Sequence, residues 1–111
     1  MSQNQQHVFR AIADPTRREI LSLLAGEDLT IAQLVCRFDV TRGAIKKHLI
    51  ILEEGELISV HPRGRERVNR LEPAGLRHVA DWVAGFSRFW DRHLDQLKQA
   101  VEAAEGEQEN E

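Results

Sequence analysis

The side chains best placed to do chemistry in this sequence are basic. Arg42, Lys46 and Lys47 lie in the stretch TRGAIKKHLIILEE, residues 41–54. Wound as a helix, the stretch gathers Ile45, Leu49 and Leu52 on one apolar face and leaves Arg42, Gly43, Ala44, Lys46 and Lys47 on the other. Thr41 stands in front as an N-cap. Ammonium groups neutralise phosphates, and a guanidinium can give two hydrogen bonds to a guanine edge. Gly43 and Ala44 keep the surface low, so that the backbone of the helix can come close to its target. The spacing predicts a DNA recognition helix that enters a major groove. His48 turns partly toward the core and reads equally as a structural hydrogen-bonding residue and as a phosphate contact.

Other chemistry finds little support. There are no paired carboxylates, no nucleophile with an adjacent base and no phosphate-binding loop, which argues against an enzyme and against a cofactor. His7, His61, His78 and His93 are scattered along the chain. Cys36 is the single cysteine, too few for a disulfide framework or a thiolate metal cage. Its setting among Leu34, Val35 and Phe38 predicts a half-buried core residue, with redox sensing through Cys36 as the alternative.

The elements that must position the basic stretch are legible on both sides of it. Residues 5–13 form a short amphipathic segment containing Val8, Phe9 and Ile12. Asp14-Pro15 ends it and starts a second helix that stops at Gly26. Arg17 and Arg18 stand in the first turn of that helix, where its dipole disfavours cations; they read as phosphate contacts or as solvated charges. Thr30 opens a third short helix with Ile31, Leu34, Val35 and Phe38 inward, and Asp39-Val40-Thr41 connects it tightly to the basic stretch. Two short helices joined this way form a helix-turn-helix pattern. After Gly55 the period changes to that of strands, in LISVH (57–61) and ERVNRL (66–71). Between them Pro62-Arg63-Gly64-Arg65 has the composition of a hairpin turn. With Arg63, Arg65 and Arg67 at its tip, the hairpin is expected to act as a wing on the DNA backbone or minor groove.

From Ala74 to about Ala104 the helical period returns. Leu76, Val79, Val83, Phe86, Trp90, Leu94, Leu97 and Val101 form a near-heptad seam, widened by Trp82 and Phe89. A helix of this length, roughly 45 Å, has more apolar surface than a small domain can cover. It is expected to find a second copy of the chain, with a break near Gly85 possible in its course. The expected dimer contacts are Val8, Phe9, Val79, Trp82, Val83, Phe86, Phe89, Trp90, Leu94 and Leu97.

Bulk composition agrees with a nucleic-acid partner once its distribution is considered. The net charge is −3, but residues 102–111 hold five Glu and no basic residue, leaving 15 basic against 13 acidic side chains before them. Residues 37–70 hold eight Lys or Arg against five acids. No run suits a membrane span and the N-terminus lacks signal-peptide features, so a cytoplasmic, membrane-free protein is the default expectation.

Taken together, AIADPTRREILSLLAGEDLTIAQL and TRGAIKKHLIILEEGELISVHPRGRERVNRLEP resemble the ArsR-type winged-helix transcriptional repressors over roughly residues 7–75. The resemblance implies a homodimer that binds a palindromic double-stranded DNA operator and represses transcription. It hands the groove role to Thr41, Arg42, Gly43, Ala44, Lys46 and Lys47 and the wing role to the basic hairpin. The metal sites of the family do not carry over. Its cysteine pair falls on Thr30 and Ala32, which offer no thiolate. Of its last-helix site only Asp91-x-His93 is present, with Ala104 eleven residues beyond His93. The chain therefore looks like the metal-independent, autorepressor-like branch, and no small-molecule effector can be named from its sequence.

The expected fold is mainly α with a small β-hairpin, an α+β winged helix-turn-helix with a long C-terminal dimerisation helix. A winged-helix DNA-binding region spans 1–73, the dimerisation helix 74–104, and a disordered acidic tail 105–111. Two recognition helices are expected about one duplex turn apart, roughly 34 Å. The rival from another class is a protein-interaction module that keeps the fold without DNA affinity.

Overall fold

The computed structural model describes residues 3–109, and the chain divides into two compact units, one ending at Val79 and the other beginning at Ala80. In the first unit α1 (Gln3–Ile12) and α2 (Pro15–Gly26) are followed by β1 (Leu29–Thr30), α3 (Ile31–Val35) and α4 (Arg42–Glu54). Then come β2 (Ile58–Arg63), β3 (Glu66–Leu71) and a 3-10 turn at Pro73–Leu76. Helix α5 (Arg77–Ala84) runs across the division, and α6 (Ser87–Glu109) completes the second unit. The architecture is the winged helix-turn-helix expected, mainly helical with a small antiparallel sheet.

Local chemistry sets the helix starts. The Asp14 side chain accepts from the Arg17 N–H at 3.0 Å, with Pro15 in the first turn of α2. Thr30 and Gln33 form a reciprocal capping box on α3, and Thr41 accepts from the Ala44 N–H at 3.1 Å on α4. Apolar faces then close one core from Val8, Ala11, Ile20, Leu21, Leu24, Leu34, Ile45, Leu49, Leu52 and Leu57. Val8 is fully enclosed in that core. Its expected place on a dimer face is therefore corrected: a side chain packed inside its own chain has no surface to offer a partner. Phe9 and Val79 are half-buried, and Val79 packs against the same core.

The sheet has the order β1-β3-β2 and is antiparallel throughout. Strand β1 is too short for its period to show in the sequence. It pairs Leu29 with Asn69 and Thr30 with Val68, and the buried Asn69 amide donates to the Leu29 carbonyl at 3.1 Å. The hairpin is tighter than its composition suggested. Pro62 and Arg63 belong to β2, Arg63 pairs with Glu66, and only Gly64 and Arg65 form the loop. Gly64 takes the positive φ of 64° that the first loop position of such a turn demands.

Helix α4 ends at Gly55, as expected. Gly55 has a φ of −81°, and the left-handed residue is Glu56, at 58°. Leu57 N–H bonds to Leu52 O at 3.0 Å and Glu56 N–H to Glu53 O at 2.9 Å, the paired bonds of a Schellman motif. Gly55 is small for another reason: a Cβ there would stand 3.3 Å from the His7 carbonyl of α1. Gly75 is constrained more severely, since a Cβ would overlap the Glu56 carbonyl. Leu76 and Val79 pack against the same core within the first unit.

In the second unit helical hydrogen bonding continues to Glu109, so residues 105–109 are helical where a disordered tail was expected. Residues 110–111 of that expected tail lie outside the described residues. The break is at Gly85, whose N–H is shared between Asp81 O at 3.1 Å and Trp82 O at 3.2 Å before α6 restarts at Ser87. Trp82, Val83, Phe86, Phe89, Trp90, Leu94, Leu97 and Val101 are all exposed on this unit. Successive aromatic rings meet edge to face, Trp82–Phe86 at 5.2 Å and Phe89–Trp90 at 5.6 Å between centroids.

Candidate DNA-binding surface

Helix α4 is clamped by one face and free on the other. Ile45, Leu49 and Leu52 are buried, whereas Thr41, Arg42, Gly43, Lys46 and Lys47 are exposed and Ala44 is half-buried. The wing is equally open at Arg63, Arg65 and Arg67. Folding brings part of the two sets together. Arg42 lines a surface groove with Arg65 and Arg67, next to Thr30 and Ala32 at the start of α3. Lys46 and Arg67 line a second groove with Ile31, Leu49, Ile50 and Asn69. Arg42, Lys46, Arg65 and Arg67 thus line neighbouring grooves between α4 and the wing, in which Glu66 and Glu53 also stand.

Gly43 has no role inside the protein. A Cβ there would meet nothing nearer than Thr41 Oγ1 at 4.0 Å, so the fold does not ask for glycine. Helical glycine costs about 0.5–1 kcal/mol relative to alanine.

Arg17 and Arg18 both have partners within the protein, which the sequence reading did not foresee. Arg17 Nε donates to Ala11 O at 2.8 Å and Nη2 to Arg10 O at 3.1 Å, while Arg18 Nη1 donates to Ile12 O at 2.8 Å. The last carbonyls of α1, which have no partner within their own helix, are satisfied by the first turn of α2. His48 is half-buried, with Nδ1 at 3.2 Å from Arg17 Nη1 and 4.0 Å from Asp14 Oδ2. The Asp14 carboxyl is held below its ordinary value. The main cause is the Arg17 N–H it accepts; partial burial opposes this, and the Arg17 charge and the Thr16 N–H add to it.

Cys36 departs from expectation as well. It is exposed at the C-terminal end of α3 instead of half-buried, because Leu34 and Val35 take the inward positions of this five-residue helix. Arg70, one of the basic residues in the 37–70 stretch, is engaged by Asp28 through two contacts of 3.0 Å that tie β3 to the residue preceding β1.

The metal positions of the resembling family do not fit a metal in this chain. Thr30 uses its hydroxyl to cap α3, and Ala32 has no donor atom. On α6, His93 Nδ1 lies 3.0 Å from the Phe89 carbonyl and its ring stacks on Phe89 at 3.9 Å. No group of three or more His, Cys, Asp or Glu able to hold a metal occurs among the described residues.

A winged helix-turn-helix with a basic α4 and a basic hairpin defines a class of DNA-binding protein, and comparison with known proteins identifies the family. Residues 14–60 match the family model described as bacterial regulatory protein, arsR family. The transcriptional repressor SdpR of Bacillus subtilis is 38% identical over 88 residues, covering 79% of this chain and 98% of the relative. The HTH-type transcriptional regulator Rv2034 of Mycobacterium tuberculosis is 34% identical over 95 residues, 86% of each chain. Among solved structures, an ArsR-like transcriptional regulator from Rhodococcus superposes with a TM-score of 0.68 at 36% identity, over 86% of this chain and 91% of that one. A homodimeric winged helix-turn-helix DNA-binding domain from Mycobacterium bovis shares the fold, with a TM-score of 0.62 at 19% identity over 79% and 83% of the two chains. The chain belongs to the ArsR family of bacterial regulatory proteins, a family of DNA-binding transcriptional regulators and not of enzymes. No helix among the described residues is long and apolar enough to cross a membrane.

Proposed function

We propose that the protein represses transcription as a homodimer that seats two copies of α4 in successive major grooves of a palindromic operator. Thr41, Arg42, Gly43, Ala44, Lys46 and Lys47 meet the groove and its flanking phosphates. Arg63, Arg65 and Arg67 of the wing hold the neighbouring backbone. The carrying observation is the division of α4 into a buried apolar face and an exposed basic one whose glycine the fold does not need. The exposed aromatic face of the second unit supports self-association, and the M. bovis neighbour is itself homodimeric. Control without a metal at the two familiar positions follows from the donors those positions lack. Trp82, Val83, Phe86, Phe89, Trp90, Leu94 and Leu97 form the dimer contact in this reading.

Selection of duplexes from a random pool by the purified protein tests the operator. Enrichment of an inverted repeat is expected; enrichment of nothing favours the interaction-module reading. Sedimentation of Trp90→Glu tests the dimer. Monomers are expected, and a persistent dimer removes this face from the interface.

A further inference from the structure

The Arg17 guanidinium reaches three acceptors at once, two on α1 and one on the recognition helix. Guanidinium has five N–H donors and no acceptor. The 3.2 Å contact from Nη1 to His48 Nδ1 therefore requires Nδ1 to accept, and the ring proton of neutral His48 then sits on Nε2. The other candidate partner, Asp14 Oδ2, is farther away at 4.0 Å and is already bonded by the Arg17 backbone N–H. The His48 side chain keeps 22% of its surface exposed. No buried side-chain nitrogen among the described residues lacks a partner, and the contacts of His48 are made through Nδ1. Its Nε2–H is thus open to solvent. On α4, Ala44 lies one turn before His48 on the same side, and the exposed Lys47 adjoins it.

We infer that Arg17 is a positioning residue for DNA binding: through Nδ1 it locks His48 in the Nε2–H tautomer and turns that N–H outward as an uncharged donor to a backbone phosphate. The inference rests on α4 being the helix that meets DNA. It distinguishes His48 from Lys46 and Lys47, since a neutral donor adds affinity without releasing a counterion.

Two measurements test it together. Imidazole ¹⁵N NMR of the free full-length protein is expected to show His48 with an unprotonated Nδ1, and Arg17→Ala to remove that preference. Operator affinity is read by fluorescence anisotropy on a duplex that the wild-type protein has itself selected from a random pool. Arg17→Ala is expected to weaken binding on the order of tenfold with an unchanged salt slope, and to have no further effect in a His48→Ala background. If Arg17→Ala does not fold, Arg17→Lys replaces it, because one ammonium can hold an α1 carbonyl but cannot span all three acceptors. An Nδ1–H tautomer in the wild type overturns the inference. So does an equal loss of affinity in both His48 backgrounds, the mark of a structural arginine. Those outcomes leave the operator reading intact, whereas failure of the wild type to select any duplex removes both.

Discussion

Replacing Gly43 with alanine is expected to raise folding stability and lower DNA affinity. Gly43 is the second residue of α4 and does not use a positive φ. Its added Cβ would stand 4.0 Å from Thr41 Oγ1 and meet nothing closer. Alanine is favoured over glycine in helices by about 0.5–1 kcal/mol, and a first-turn position takes the lower end of that range. A gain of about 0.5 kcal/mol raises Tm by roughly 2–4 °C for a chain of this size. On the DNA side the same methyl enters a surface argued to need smallness. Overfilling a close-packed contact costs about 1–3 kcal/mol, and a dimer meets that cost twice. The dissociation constant is therefore expected to rise roughly thirtyfold or more. Thermal melts followed by circular dichroism give the first quantity, and anisotropy titration of the selected duplex at fixed salt gives the second. A lower Tm means that the fold itself requires Gly43. A raised Tm with unchanged affinity means that the first turn of α4 does not approach the DNA, and the groove assignment fails.

The junction after α4 supplies an opposing pair of stability changes. Gly75→Ala drives a Cβ into the fixed Glu56 carbonyl and is expected to cost about 1–3 kcal/mol in urea denaturation; Glu56→Gly relieves the left-handed backbone at an exposed site and is expected to gain about 0.5–1 kcal/mol. Lys46→Ala with Lys47→Ala removes up to four phosphate contacts from a dimer, flattening the log affinity against log salt plot by about 3 to 4; an unchanged slope excludes both lysines from the phosphates. Asp14→Asn probes the depressed carboxyl, whose folded value lies below its unfolded one. The stabilisation it provides is fully present above roughly pH 4 and is lost as pH falls through the folded value. Wild type should therefore exceed the variant in stability at neutral pH, and the gap should close in acid; a gap independent of pH refutes the linkage.

Where local chemistry dominates, the sequence was a sufficient guide. Asp14-Pro15, Thr30 and Thr41 cap their helices as their side chains dictate, and the alternation around Val60 and Val68 marked the wing. What escaped it depends on partners distant in the chain. Strand β1 exists because Asn69, forty residues away, reaches the Leu29 carbonyl. Arg17 and Arg18 looked misplaced at a positive helix end until the C-terminus of α1 was seen beside them. Val8 has the same residue type as a dimer contact, and only packing shows it enclosed. Gly55 ends α4 as its type suggests, but the left-handed position at Glu56 and the close approach of Gly55 to α1 were not legible. The exposed half of α4 was evident from spacing; the restraint on His48 was not, since it joins residues 31 positions apart.

The aromatic series of the second unit has an optical consequence. The chain has two tryptophans and no tyrosine, and both Trp82 and Trp90 lie after the division at Val79. Intrinsic emission excited at the red edge therefore arises from residues of the second unit. Far-ultraviolet dichroism reports the helices of both. A melt followed by the two signals in one sample separates the units without any label: coincident curves mean that they unfold as one, and an early loss of fluorescence change relative to ellipticity means that the aromatic face gives way first.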